Sequence, residues 1–284
     1  MPPLLEEAVV GFQWRQSKEN RGRHSLNSPA FIAFAASGVK VKLNRNLDGQ
    51  MTETNGDAII RMFHVHKRYG AKSALKDLTL DVFKNEFLFV TGRSGAGKTT
   101  LLKLLYLGEP VSEGQILVDG MNLSRIERNR IPALRRLFGI IFQDYKLIPT
   151  KTVYENVALV LEAAGRKPNM IPKKVKSVLR TVGMEDRMNA YPPMLSGGEQ
   201  QRVAVARAAA GDPKIILADE PTGSLDEEAA GVILSYLDTF HSRGATVIIA
   251  THDKALLKRP DSRIVQLRDG QMWSAEAAQV GEDR

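Results

Sequence analysis

The chain has 284 residues, and its 43% hydrophobic and 25% charged content matches ordinary globular usage, which excludes wholesale disorder. It holds no cysteine, so a disulfide scaffold, a thiolate zinc site and a cysteine nucleophile are excluded. The 40 Lys and Arg against 32 Asp and Glu leave a net charge of +8, which favours partners bearing phosphate, nucleic acid or anionic lipid.

Residues 1–57 carry little sustained periodicity and polar runs such as Gln16 to Asn27, so they read as a flexible or accessory extension. The longest uncharged stretch, Ser25 to Val39, is 15 residues long and contains Pro29 and Asn27. A spanning helix needs about 20 predominantly apolar residues, and the basic lead-in is too long for a signal peptide, so a soluble chain is expected. Met51 follows a composition break and marks a second candidate start of translation, which an intact mass of the full chain would dismiss.

The pattern becomes regular from Ala58 onward. Ile59 to Tyr69, Ala74 to Val82 and Gln115 to Val118 alternate as half-buried strands do, punctuated by Gly70, Gly114 and Gly120. Phe87 to Val90, Lys214 to Ala218 and Ala245 to Ala250 are almost continuously apolar, which a parallel strand covered by helices on both faces requires. Helices are expected over Thr99 to Leu107, Ile171 to Val182, Glu199 to Ala210 and Glu227 to His241. Alternating strands and helices predict an α/β core with right-handed crossovers.

After the strand ending at Val90 comes Gly92-Arg93-Ser94-Gly95-Ala96-Gly97-Lys98-Thr99, then the apolar helical run opened by Thr100. Strand, G-x-x-x-x-G-K-T and helix in that order make a P-loop. Its glycines let the backbone wrap an anion at a helix N-terminus, Lys98 supplies a point charge for phosphate, and the Thr99 hydroxyl suits Mg2+. Asp219 and Glu220 close the buried strand Lys214 to Ala218, at the end of the sheet where ligands sit. Asp219 is placed to hold the metal and Glu220 to polarise the attacking water. Ser196-Gly197-Gly198-Glu199 opens another helix and makes a second anion-receptive N-terminus. Two such sites for one nucleotide stop being redundant if the chain pairs with itself. His64 and His66 alternate along one strand with no third ligand nearby, and are expected to be edge-strand polar residues rather than a metal site.

Gly92 to Thr99, Gln143, Leu195 to Gln200, Asp219-Glu220, Ser224-Leu225-Asp226 and His252 together resemble an ABC-transporter ATPase, over roughly residues 58–272. The resemblance implies a P-loop NTPase core with an antiparallel β subdomain and a helical subdomain inserted at about 144–200. A C-terminal tail follows, at 273–284. It implies ATP and Mg2+ as cofactors, Tyr69 stacked on adenine, and Thr99, Asp219 and Gln143 at the metal. Lys98, Gln143, Glu220 and His252 are implied as catalytic, while Ser196, Gly197, Gly198 and Asp226 meet the nucleotide of a second copy in a homodimer. Within the family, Ile131 to Arg136, Ile141 to Asp144 and Thr152 to Leu159 most resemble the ATPases of bacterial cell-division complexes, with lipoprotein-extraction and macrolide-type efflux ATPases as the alternative. An integral-membrane subunit docked on the helical subdomain is then implied, at the cytoplasmic face of the inner membrane. The acid-free basic run Arg166 to Arg180 suits either an anionic leaflet or a solvated helix face. No nucleic-acid partner is expected, since the coiled coils, tandem domains and zinc modules of nucleic-acid-acting members do not occur here.

Overall fold

The computed structural model describes residues 31–34, 40–45, 51–54, 57–223, 225–253 and 256–277. The chain divides into two compact units, Met1–Ala58 and Ile59–Arg284. In the first, β1 (Phe31–Phe34), β2 (Lys40–Arg45) and β3 (Met51–Thr54) form an antiparallel meander in which Phe31 faces Leu43 and Lys42 faces Thr54. Met51, the candidate start, opens the last of these strands. Most of the expected extension, and residues 278–284 of the expected tail, lie outside the described residues.

The second unit is built around a six-stranded sheet. Its members are β6 (Phe87–Thr91), β9 (Phe138–Ile141), β10 (Ile215–Asp219), β11 (Thr246–Ala250), β12 (Arg263–Arg268) and β13 (Gln271–Ala277). They stand in the order β13-β12-β6-β11-β10-β9, all parallel except the terminal β12–β13 hairpin. A second sheet, order β5-β4-β7-β8, contains β4 (Ala58–Tyr69), β5 (Lys72–Phe83), β7 (Glu113–Val118) and β8 (Met121–Asn122). The helices are α1 (Lys98–Leu105), α2 (Ile131–Arg135), α3 (Val153–Ala163), α4 (Ile171–Thr181), α5 (Gly197–Ala209) and α6 (Glu227–Ser242).

Side-chain alternation explains why three strands read as unbroken apolar runs. Phe87 and Phe89, Ile216 and Ala218, and Val247 and Ile249 point into one core, shared with α3, α4, α5 and α6. Leu88 and Val90, Ile215 and Leu217, and Ile248 and Ala250 point into the other, shared with α1 and the antiparallel sheet. Both faces are therefore dry, which is the condition a parallel sheet imposes. The fold is the expected P-loop NTPase core with an antiparallel β layer on one face and a helical layer on the other.

One expectation is corrected here. β4 is not an edge strand, because β5 and β7 flank it. The pairing with β7 breaks between Phe63 and His66, and that irregularity, with φ of 46° at His64, turns the histidine outward. There His64 Nδ1 meets Asp77 Oδ1 at 2.6 Å, and the Asp77 N–H donates to His66 Nδ1 at 3.3 Å. Among the described residues no three His, Cys, Asp or Glu side chains are grouped to hold a metal.

Candidate functional site

The loop from β6 to α1 is shaped by two glycines that nothing else could replace. Gly92 has φ of 146°, and a Cβ there would lie 2.3 Å from the Leu267 carbonyl oxygen; Gly97 has φ of 107°, with a Cβ only 2.7 Å from the Ala74 carbonyl oxygen. Gly97 caps α1, whose first turn carries no acidic side chain, so the positive end of the helix faces the loop unopposed.

The loop borders a cavity of about 600 Å³. Arg93, Ser94, Gly95, Gly97, Lys98, Thr99 and Thr100 line one side, Tyr69 a second, and Gln143, Glu220 and His252 the third. Gly92 and Ala96 lie behind the lining, where the Gly92 carbonyl accepts from Lys98 Nζ at 2.9 Å and Ala96 is buried. Thr99 Oγ1 donates to Asp219 Oδ1 at 3.1 Å, tying the start of α1 to the end of β10. Eleven residues of the expected set thus converge on one cavity, with Gly92, Ala96 and Asp219 directly behind it.

The two adjacent carboxylates are tuned in opposite directions. Burial raises the Asp219 carboxyl above the usual range, and the neighbouring Glu220 charge adds to this against the Thr99 hydrogen bond. Burial also pushes on Glu220, but hydrogen bonding to His252 and the Lys98 charge outweigh it, so its carboxyl lies below the usual range. Glu220 Oε1 is 2.9 Å from His252 Nδ1 and 3.4 Å from Lys98 Nζ, and the His252 N–H donates to Oε2 at 3.3 Å. Glu220 has a left-handed φ of 46°, although its N–H still donates to the Ala250 carbonyl at 2.8 Å and prolongs the β10–β11 ladder. A non-glycine residue held there is strain kept at the mouth of a cleft.

Ser196, Gly197, Gly198, Glu199 and Asp226 stand elsewhere. They line a separate cavity of about 510 Å³ that shares no residue with the first. Ser196 caps α5 by accepting from the Glu199 N–H at 3.2 Å, while the Glu199 carboxylate accepts from the Ser196 N–H at 2.8 Å. That backbone bond holds the Glu199 carboxyl below its usual range. Asp226 caps α6 through the Ala229 N–H at 2.7 Å, and Ser224 lies outside the described residues.

Three contributors were not among the expected residues. Lys67, buried under Tyr69, sits 4.7 Å from the ring centroid and is held by Glu109 Oε2 at 3.1 Å and the Pro110 carbonyl at 2.9 Å. Gln201 of α5 donates from Nε2 to the carbonyl of Pro221, the residue after Glu220. Arg207 of the same helix donates to the carbonyls of Tyr145 and Lys146, just beyond Gln143. A helical phase argument places Gln201 and Arg207 on α5, but only the tertiary fold shows what they reach.

A glycine-wrapped helix start, a lysine, and paired carboxylates at the carboxyl end of a parallel strand define a P-loop nucleoside triphosphatase. The family model for ABC transporter matches residues 75–223. The chain belongs to the ABC-transporter ATPase family, and it binds and hydrolyses ATP. It is 41% identical to the cell division ATP-binding protein FtsE of Bacillus subtilis, over 75% of this chain and 93% of that one. Against FtsE of Escherichia coli the identity is 44%, over 75% of this chain and 97% of that one. The solved dimeric structure of MJ0796, a bacterial ABC transporter cassette, matches with a TM-score of 0.73 at 34% identity, covering 78% of this chain and 99% of the other. A dimeric post-hydrolysis state of that cassette bound to ADP and Pi matches with a TM-score of 0.72.

Proposed function

We propose that the chain is the ATP-driven subunit of a bacterial cell-division membrane complex, working as a homodimer on the cytoplasmic face of the inner membrane. The observation that carries the chemistry is Glu220, shared between Lys98 and His252 at the mouth of the P-loop cavity. ATP entering the cavity stacks its adenine on Tyr69 and draws the Lys98 ammonium from Glu220 to its phosphates. Glu220, relieved of that ion pair, orients a water and accepts its proton as the water oxygen bonds to the γ-phosphorus and the bond to the bridging oxygen breaks. His252 holds the carboxylate and is within reach of the γ-phosphate.

The donor set suits Mg2+. Thr99 Oγ1 and Asp219 Oδ1 are 3.1 Å apart, Gln143 adds an amide oxygen at the same cavity, and burial penalises the charged Asp219, a cost that a cation offsets. When bound, the ion neutralises charge on the transferred phosphoryl group.

The separation of Ser196, Gly197, Gly198 and Asp226 from the P-loop cavity supports the homodimer: a second copy, facing head to tail, brings them onto the first copy's nucleotide. The dimeric cassette at 34% identity supports the same arrangement. The resemblance to FtsE supports an integral-membrane, FtsX-like partner, and no helix among the described residues is long and apolar enough to cross a membrane by itself.

Two measurements test this reading. Glu220→Gln should lower turnover by about 10²- to 10⁴-fold while nucleotide binding persists and a dimer accumulates with Mg-ATP. Wild-type turnover in that variant rejects the assignment of Glu220. Purification of the tagged chain from membranes should recover an FtsX-like protein; recovery of a lipoprotein-extraction or efflux permease instead rejects the cell-division role and leaves the ATPase chemistry standing.

A further inference from the structure

The loop after Gln143 is the most contorted stretch around the site. Tyr145 has φ of 58° and Lys146 φ of 51°, two consecutive left-handed residues neither of which is glycine. Local bonds fold the loop tightly, with the Tyr145 N–H on the Phe142 carbonyl at 3.2 Å and the Lys146 N–H on the Asp144 carbonyl. A bulky aromatic does not adopt that conformation unless the surroundings over-determine it.

Arg207 supplies that determination. Its Nη2 donates to the Tyr145 carbonyl at 2.7 Å and its Nη1 to the Lys146 carbonyl, so one planar fork grips both strained peptides. The guanidinium is half-buried, and these two carbonyls receive donors that side-chain carboxylates would ordinarily take. The other end of the contact is equally specific. A Cβ built on Gly197 would lie 3.1 Å from the Tyr145 hydroxyl, so that hydroxyl rests against the first residue of α5. Arg207 belongs to the last turn of the same helix. The Arg207 side chain and Tyr145 together therefore run along α5 from its last turn to the glycine at its start.

We propose that Arg207 and Tyr145 are positioning residues forming a strained clasp, which fixes the Gln143 loop of one active site to the Gly197 end of α5. The inference rests on the reading above, in which Gly197 serves the nucleotide of a second copy. Through the clasp, what Gln143 meets in its own cavity alters where Gly197 stands toward the partner's. Neither clasp residue lines the P-loop cavity, so the clasp acts on the assembled site and not on nucleotide capture.

Steady-state ATP turnover of the full chain, reconstituted with its membrane partner, tests this. Arg207→Lys keeps the charge but loses the fork, and should lower kcat about tenfold while KM for Mg-ATP stays within about twofold. Adding Lys146→Gly to that variant should restore at least about half of the lost turnover, since glycine adopts the left-handed conformation without being held in it. Tyr145→Phe, which removes only the hydroxyl, should lower kcat about threefold with KM unchanged, and it decides the matter alone if Arg207→Lys does not fold. Wild-type kcat in both single variants, equal losses in kcat and nucleotide affinity, or no recovery with glycine would each overturn the clasp. The Glu220→Gln result is independent of all three, so failure of the clasp and failure of the ATPase assignment are told apart.

Discussion

Tyr69 shows how much a single side chain depends on what lies beneath it. It ends β4 with 42% of its surface exposed, yet it is not free to swing, because the buried Lys67 ammonium sits 4.7 Å from its ring centroid. Lys67 in turn is fixed by Glu109 and the Pro110 carbonyl, in the connection between α1 and β7. Lys67 does not line the cavity and Tyr69 does, so the ring keeps a surface open to a base while the cation steadies it. Stacking on an aromatic face is worth about 1–3 kcal/mol per base. Tyr69→Ala should therefore weaken ATP binding by about 5- to 150-fold, whereas inorganic tripolyphosphate, which has no base, should compete as well as before. Competition binding with both ligands reads the difference directly, and equal losses for the two would show that Tyr69 only supports the loop. Tyr69 was expected through the resemblance to ABC ATPases, and the fold places it at the P-loop cavity. Lys67 was not, because a lysine two residues along a strand carries no local sign that it is buried and paired.

At the scale of elements, legibility followed the number of faces an element buries. β6, β10 and β11 bury both, so their apolar runs named them, and the observed α1, α4, α5 and α6 fall within a few residues of the expected spans. β9 escaped notice because it is only four residues and includes Gly139, where a Cβ would lie 2.2 Å from the Ala208 carbonyl oxygen. That glycine is a packing requirement against α5, visible only once the two elements touch. The β12–β13 hairpin was hidden by its charged ends, Arg263 and Arg268. α3 was hidden by Asn156, a polar residue 1% exposed in the middle of an apolar face. Its side chain accepts from the Ile148 N–H at 2.7 Å and donates to the carbonyls of Ile148, Lys151 and Thr152 at 3.0–3.1 Å. Asn156 thus replaces the missing secondary structure of residues 148–152 and anchors the segment that follows the Gln143 loop. Asn156→Leu should strand those backbone groups and destabilise the fold by about 2–3 kcal/mol. For a domain of this size that lowers Tm by roughly 5–10 °C, measurable by thermal denaturation. A shift below 1 °C would mean that water satisfies the loop as well as the amide does.

For the whole molecule, the two cavities pose a question of composition: which chain supplies which half of an active site. The motifs were readable one by one because each is a short contiguous run, whereas their distribution over two cavities is a property of the folded chain. If each site takes Lys98, Asp219 and Glu220 from one copy and Gly197 and Gly198 from the other, defects in the two halves must complement. Gly198→Asp places a carboxylate where the phosphate of the partner's nucleotide would come, and Glu220→Gln removes the base. Each homodimer is then dead at both sites. A mixed dimer has one dead site carrying both defects and one intact site, built from the Glu220 of the first variant and the glycines of the second. With random exchange half of the dimers are mixed and each retains one of two sites, so turnover should rise from background to about a quarter of wild type. The signal should grow with the square of protein concentration at low occupancy and vanish when the subunits are crosslinked as homodimers before mixing. Turnover that stays at the sum of the two inactive variants, under conditions where exchange is shown by labelled subunits, would place all of the machinery of a site within one chain or demand that both sites be intact together. Assaying the Lys98→Met and wild-type mixture separates those two outcomes. There one copy lacks a functional nucleotide site while both helices α5 remain intact, so independent sites give activity in proportion to the wild-type subunits and obligate pairing gives activity in proportion to their square.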